Sequence, residues 1–282
     1  MKEIQLFTDS TKTPVTNHDL LRSLEAVGAA GCEVLYIHSE LSFGAPSLAL
    51  GRKGVLDGVL TTIKELGVPT LCVPTFTFSF CNGVDYDVDK SKSKMGAFNE
   101  YFRVQSDALR SVDPLMSNAI IGKNKGLVAN IGHESVGHRS TFDILHKCEN
   151  VSFLFFGIEA DMCFTYLHYV EYMLNTPYRY NRKFTGMITD GDRTYEDSYT
   201  LFVRYNGVVP KQNLRIGHEL EKRGALRRTM CGDGTISCVG ERDTFEIISE
   251  KISNDQEYMV EVDHSLFEKK DTTFHVENMV AL

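Results

Sequence analysis

The chain has 282 residues, 42% of them hydrophobic and 24% charged, with 30 basic against 38 acidic side chains and a formal charge of −8. These values suit an ordinary globular core, leave no apolar run near the roughly 20 residues a membrane span requires, and argue against general nucleic-acid binding. Seven cysteines at irregular spacing without a CxxC pair, and no apolar segment of signal-peptide length at the N-terminus, point to reduced thiols and a cytoplasmic location.

In chain order, residues 19–30 are predicted as a helix with Leu20, Leu21, Leu24 and Val27 on one face, capped by Thr16 or Asn17. Residues 32–38 read as a buried strand, 55–66 as a helix, 70–76 as a second strand and 99–108 as a helix. Short buried strands are expected at 127–129 and 151–157, and a long helix at 161–175, closed by Pro177. Towards the C-terminus, 198–205 and 257–262 read as strands and 244–252 as a helix. Strands alternating with helices, followed by late strands free to run antiparallel, predict a single α/β domain over residues 1–282. Its fold would be layered, with a central mixed sheet flanked by helices.

Four stretches carry groups suited to chemistry. His38-Ser39-Glu40-Leu41-Ser42-Phe43-Gly44 follows a buried strand directly. Its Ser-rich turn offers backbone N–H groups to an anion such as phosphate, although alone it reads first as an ordinary strand-to-helix loop. Val73-Pro74-Thr75-Phe76-Thr77-Phe78 places hydroxyls and aromatics together at a strand end, a pattern that a half-buried strand also shows. Residues 86–122 are dense in polar groups around fixed turn residues, among them Asp87, Ser91, Arg110, Ser111, Asp113 and Ser117.

The fourth stretch holds His168 and Glu171, three apart on one helix face. A carboxylate there can fix the imidazole tautomer and raise its basicity, as a general base needs; the same spacing also fits a helix-surface ion pair, which is the commoner occurrence. A metal site needs a further ligand: the His-Glu-x-x-His pattern is absent, and His133 and His138 are weak candidates in a Gly-rich loop. Cys231-Gly232-Asp233-Gly234 reads as a structural hairpin, and neither a Gly-x-Ser-x-Gly elbow nor a nucleotide fingerprint occurs.

Taken in order, these pieces resemble the aminoglycoside 3-N-acetyltransferase family. The matching elements are His38 to Ser42 with Gly44, Pro74 to Thr77, and Asp87 followed by Ser91-Lys92-Ser93 and Gly96. Arg110-Ser111, Pro114 and Ser117 with Gly122 come next, then Thr165-x-x-His168-x-x-Glu171. The resemblance implies acyl transfer from acetyl-CoA or another acyl-CoA to a primary amine, with no metal and no acyl-enzyme. The family's catalytic histidine and glutamate fall on His168 and Glu171, which we assign as general base and orienting partner, and we assign Asp87 as a carboxylate for the acceptor. The segments from His38 to Ser42, Thr75 to Thr77 and Arg110-Ser111 correspond to stretches that line the family's coenzyme A site, so His38, Ser39, Leu41, Ser42, Thr75, Thr77, Arg110 and Ser111 are expected there. We add Ser117, and take Thr77, Ser111 and local backbone N–H groups as candidate oxyanion or thioester contacts.

Asp113-Pro114 and Ser91-Lys92-Ser93 stand where resistance enzymes usually have His-Pro and Thr-Pro-Ser. The expected acceptor is therefore a small-molecule amine on a sugar, nucleotide-linked before aminoglycoside. Arg179, Arg182 and Lys183 suit a phosphate contact or, as the plainer reading, a solvated basic face. A metal-dependent hydrolase and a non-catalytic ligand-binding protein are the rival readings. No nucleic-acid or membrane partner is expected, and homodimerisation is left open.

Overall fold

Alternation along the two most buried strands sets the layering. Val34 and Tyr36 face one apolar cluster while Leu35 and Ile37 face another. Val151, Phe153 and Phe155 divide from Leu154 and Phe156 in the same way. A strand apolar on both sides must be covered on both sides. One face is covered by the helices Asn17–Ala26 and Gly51–Lys64 through Leu20, Leu24, Val55, Val59 and Ile63. The other is covered by Thr141–Lys147, Leu167–Met173 and Glu241–Asn254 through Phe142, Leu167, Val170 and Ile248.

The computed structural model describes residues 2–267. Its seven-stranded sheet runs, in spatial order, Leu226–Cys231, Gly234–Gly240, Val151–Phe156, Val34–Ser39, Thr70–Pro74, Asn118–Gly122 and Leu109–Arg110. The central three strands are parallel and the outer pairings antiparallel, so the sheet is mixed as the sequence predicts. The turn at Gly232-Asp233 closes the hairpin expected there. A long ribbon, Arg179–Asp190 with Arg193–Arg204, is joined by the two-residue turn Gly191-Asp192. Its ladder runs unbroken from Arg179↔Arg204 to Asp190↔Arg193.

Most predicted elements hold with shifted ends. The first helix begins on a Thr16 capping box, in which Thr16 N–H donates to Asp19 and the Thr16 hydroxyl accepts from the Asp19 N–H. The helix predicted at 99–108 is Ala97–Arg103, and the late strand predicted at 257–262 shrinks to Val260–Val262, paired with Val208–Pro210.

Two predicted elements differ in the structure and one strand was not predicted. Residues 127–129 lie in a short helix, Gly126–Ala129, because two apolar residues suit either state when the run is this brief. The strand Arg179–Asp190 went unread because its polar face masks the alternation. The helix predicted at 161–175 is two helices, Ala160–Cys163 and Leu167–Met173. The break has a packing cause. Phe164 and Tyr166 both turn to the sheet, with ring centres 5.0 and 4.7 Å from Phe153. Residues two apart cannot share a helix face.

Candidate active site

The three parallel strands end at one sheet edge. Val34–Ser39 connects onward to Thr70–Pro74 on one side, while Val151–Phe156 lies on the other. Connections that diverge from neighbouring parallel strands open a crevice at the strands' carboxyl ends. Two loops meet there. The Glu40 N–H donates to the Phe156 carbonyl at 3.0 Å, and the Ser42 hydroxyl donates to the Gly157 carbonyl. Gly157 has φ +75°, and a Cβ on it would sit 1.8 Å from the Glu40 carbonyl oxygen, so the approach admits only glycine.

From this loop the chain passes through the aromatic break to His168, the second residue of its helix. His168 and Glu171 are both buried, with Nδ1 2.9 Å from Oε2. Tyr178 donates its hydroxyl to Oε1 at 2.8 Å, and Arg179 Nη2 lies 2.9 Å from Oε2. Burial alone would raise the Glu171 pKa, but Arg179 and the His168 and Tyr178 hydrogen bonds outweigh it and hold the carboxyl at about 2. Burial first, then the Arg179 charge, lowers the His168 pKa below its usual value against the opposing pull of Glu171. At neutral pH the pair is therefore a carboxylate and a neutral imidazole. An ionised carboxylate only accepts, so Nδ1 carries the hydrogen and Nε2 the free lone pair.

His168 lines a cleft of about 520 Å³. Phe164, Leu167, Val209, Pro210, Ile216 and Met259 give it apolar walls, and Asp161, Lys211 and Arg215 are its charged lining residues. Asp161 accepts the Gly217 N–H at 2.7 Å. The Arg215 side chain makes no hydrogen bond or salt bridge among the described residues.

None of the residues assigned to coenzyme A lines this cleft. His38 is buried, stacked on Phe155 at 5.4 Å and edge-on to Phe164, and burial lowers its pKa to about 3. Its Nε2 is buried without a hydrogen-bond partner among the described residues. Ser39 bonds Asn99, and half-buried Leu41 lies over a separate apolar hollow near Leu56. Thr75, Arg110 and Ser117 form one buried network: Arg110 donates to the Thr75 carbonyl at 2.7 Å and to the Ser91 carbonyl at 2.6 Å, and Ser117 donates to the Thr75 carbonyl. Thr77 donates to the Pro114 carbonyl, and the Ser111 hydroxyl accepts the Asn118 N–H, so both groups are already engaged inside the protein.

Asp87 is not brought to His168. It pairs with Thr189, ten positions along the ribbon from Arg179, a separation of roughly 33 Å at 3.3 Å per residue. Its carboxylate holds Lys90 and the local turn. Asp113 is buried, accepting from Leu115 N–H, Met116 N–H and Ser135, with a pKa raised by burial. Arg179 departs from the solvated-run reading, whereas Lys183 beside it is exposed. Only the neighbouring Glu171–Arg179 burial identifies it, and no local pattern in the sequence does. Among the described residues no cluster of three His, Cys, Asp or Glu side chains is arranged to hold a metal ion. No helix among them is long and apolar enough to cross a membrane.

A model of the aminoglycoside 3-N-acetyltransferase family matches residues 37–253. No curated protein sequence matches significantly. Among solved structures, aminoglycoside acetyltransferase AAC(3)-Xa superposes with a TM-score of 0.72 at 18% identity, covering 87% of this chain and 94% of that one. AAC-IIIb, solved with CoASH, gives 0.69 at 17% identity over 84% and 96%. A histidine-to-alanine mutant of AAC(3)-IVa in complex with a gentamicin gives 0.69 at 16% identity over 97% and 98%. At these identities the superpositions establish a shared fold.

Proposed function

The chain belongs to the aminoglycoside 3-N-acetyltransferase family and is an acyl-CoA-dependent N-acyltransferase, and within that activity we propose that His168 is the general base and that the acceptor is a nucleotide-linked amino sugar. The observation that carries the base assignment is the buried His168–Glu171–Arg179 arrangement, in which Glu171 engages Nδ1 and His168 lines the cleft.

The cleft suits an acyl-CoA. Its apolar walls match an extended, weakly polar arm, and Lys211 and Arg215 supply positive charge toward phosphate. Acyl-CoA, when bound, contributes a thioester already activated for transfer. The protein must supply a base for the amine proton, since an ammonium has no lone pair for attack, and a fixed geometry for the encounter. His168 takes the proton on Nε2 as the amine attacks the acyl carbon. Glu171, hydrogen-bonded to Nδ1, stabilises the imidazolium that results. The proton passes from Nε2 to the departing thiolate, restoring the neutral ring.

The acceptor reading rests on charge. Aminoglycosides are polycations, yet the cleft lining has one carboxylate, already bonded to a backbone N–H, against two cations. With Lys211 and Arg215 serving the coenzyme's phosphate, a single engaged carboxylate is left for a polycation, which favours a less cationic acceptor such as a nucleotide-linked amino sugar. A cytoplasmic location accords with seven free cysteines. The test is mass spectrometry of products from acetyl-CoA with a panel of nucleotide-linked amino sugars, free amino sugars and gentamicin. Products confined to gentamicin would overturn the acceptor reading.

A further inference from the structure

Arg179 opens the ribbon strand Arg179–Asp190 and is buried against the His168 helix. Its Nη2 lies 2.9 Å from Glu171 Oε2 and 3.0 Å from His168 Nδ1. Nη1 donates to the Phe202 carbonyl at 3.0 Å, and the guanidinium carbon stands 6.0 Å from the Phe202 ring centre. The planar group is thus held from the second ribbon strand and cannot swing.

A guanidinium has donors only. Nη2 stands within hydrogen-bond distance of both Nδ1 and Oε2, and the carboxylate, as the charged and stronger acceptor, draws hydrogens from Nη2 and Nδ1 together. In the opposite tautomer Nδ1 could accept from Nη2, but its lone pair would then stand against Oε2 at 2.9 Å and the carboxylate would lose one of its donors. We propose that Arg179 is a positioning residue for acyl transfer: it fixes the Glu171 carboxylate in the orientation that keeps Nδ1 protonated, so that the unprotonated nitrogen of His168 is the one beside the cleft. The inference deepens the assignment of His168 as base and rests on it.

Charge gives the idea its readout. A fixed cation beside the ring opposes ring protonation and offsets the Glu171 charge that favours it. The other charged or titratable groups facing His168 are Glu171 on its own helix, Tyr178 through Glu171, Arg204 from the second ribbon strand, and Asp161, Lys211 and Arg215 along the cleft. Glu171 and Arg179 both stand within hydrogen-bond distance of the imidazole.

Two measurements on Arg179→Met, Arg179→Gln and Arg179→Lys decide the matter. The first is an NMR titration of the His168 ring in the ligand-free protein, and the second is the pH profile of kcat with acetyl-CoA and the best amine from the product screen. Removing the charge should raise the ring pKa and move the acid limb of kcat upward with it. Turnover lost at neutral pH should return at higher pH. KM for acetyl-CoA should stay within about twofold, because the lost contact is not to substrate. Arg179→Gln keeps a donor toward Glu171 and should show the shift even where Arg179→Met folds poorly, while Arg179→Lys should return the pKa toward wild type. A ring that titrates as in wild type in the neutral variants, or a rate lowered equally at every pH, would leave Arg179 a structural residue and overturn the inference. Normal turnover in His168→Ala would instead remove the base assignment; the ring titration is independent of turnover and separates the two failures.

Discussion

Replacing Glu171 with Gln tests the charged centre through stability as well as rate. The carboxylate is buried with Arg179, and its pKa is held at about 2, against 4.5 when free. That difference corresponds to roughly 3 kcal/mol of stabilisation at neutral pH. Because the folded pKa is the lower one, the contribution is complete above the unfolded value and declines as pH falls toward the folded value. It should fall to roughly 2 kcal/mol by pH 3.5. Glu171→Gln removes this term and leaves the Arg179 charge buried without its partner, for which about 3–5 kcal/mol is typical. Urea unfolding of both proteins at pH 7, 4.5 and 3.5 should therefore show the variant less stable by about 3–5 kcal/mol at pH 7, with the gap narrowing by more than 1 kcal/mol at pH 3.5. A gap independent of pH, or no gap at pH 7, would mean that the carboxylate is not stabilised by its surroundings in the way the geometry requires.

His168→Ala should remain folded and bind acetyl-CoA while turnover falls by about 10²–10⁴-fold, the usual scale for loss of a general base, as read by steady-state kinetics. The wild-type rate should show a limb rising with pH below the ordinary imidazole pKa, because burial and Arg179 lower that of His168; a profile without a limb in that range would contradict this. Asp87→Asn should leave kcat within about twofold of wild type, given its distance along the ribbon; a large kcat loss would return Asp87 to the reaction centre. Gly157→Ala should lower the melting temperature, since its Cβ would meet the Glu40 carbonyl at 1.8 Å, and calorimetry showing no change would refute the close approach.

The layered fold was legible because Val34, Tyr36, Phe153 and Phe155 belong to runs that are apolar on both faces, a pattern only a covered strand tolerates. His168 and Glu171 were legible as a pair from their spacing, but their burial was not. An exposed helix pair and a buried one have the same sequence signature, and what distinguishes them here is Tyr178 and Arg179 arriving from the next element. The cleft was illegible for a related reason. Its far wall comes from Val209, Pro210, Ile216 and Met259, whose positions depend on long-range pairing of Val208–Pro210 with Val260–Val262. The family pattern singled out the 38–42, 75–77 and 110–117 segments, and the structure explains much of their character as mutual bonding among Thr75, Arg110 and Ser117.

The unbroken ladder of the ribbon also determines which changes in chain length the reaction centre can absorb. In a paired strand, a shift of one residue sends every side chain to the opposite face. An insertion within Arg179–Asp190 or Arg193–Arg204 would have to be expelled as a bulge or would rotate Arg179 away from Glu171. The Gly191-Asp192 turn has no such obligation: lengthening it adds chain beyond the last pair and leaves the phase of Arg179 unchanged. The turn is thus the natural place for a fused peptide or fluorophore, remote from the base yet attached to the strand that carries its charged neighbour.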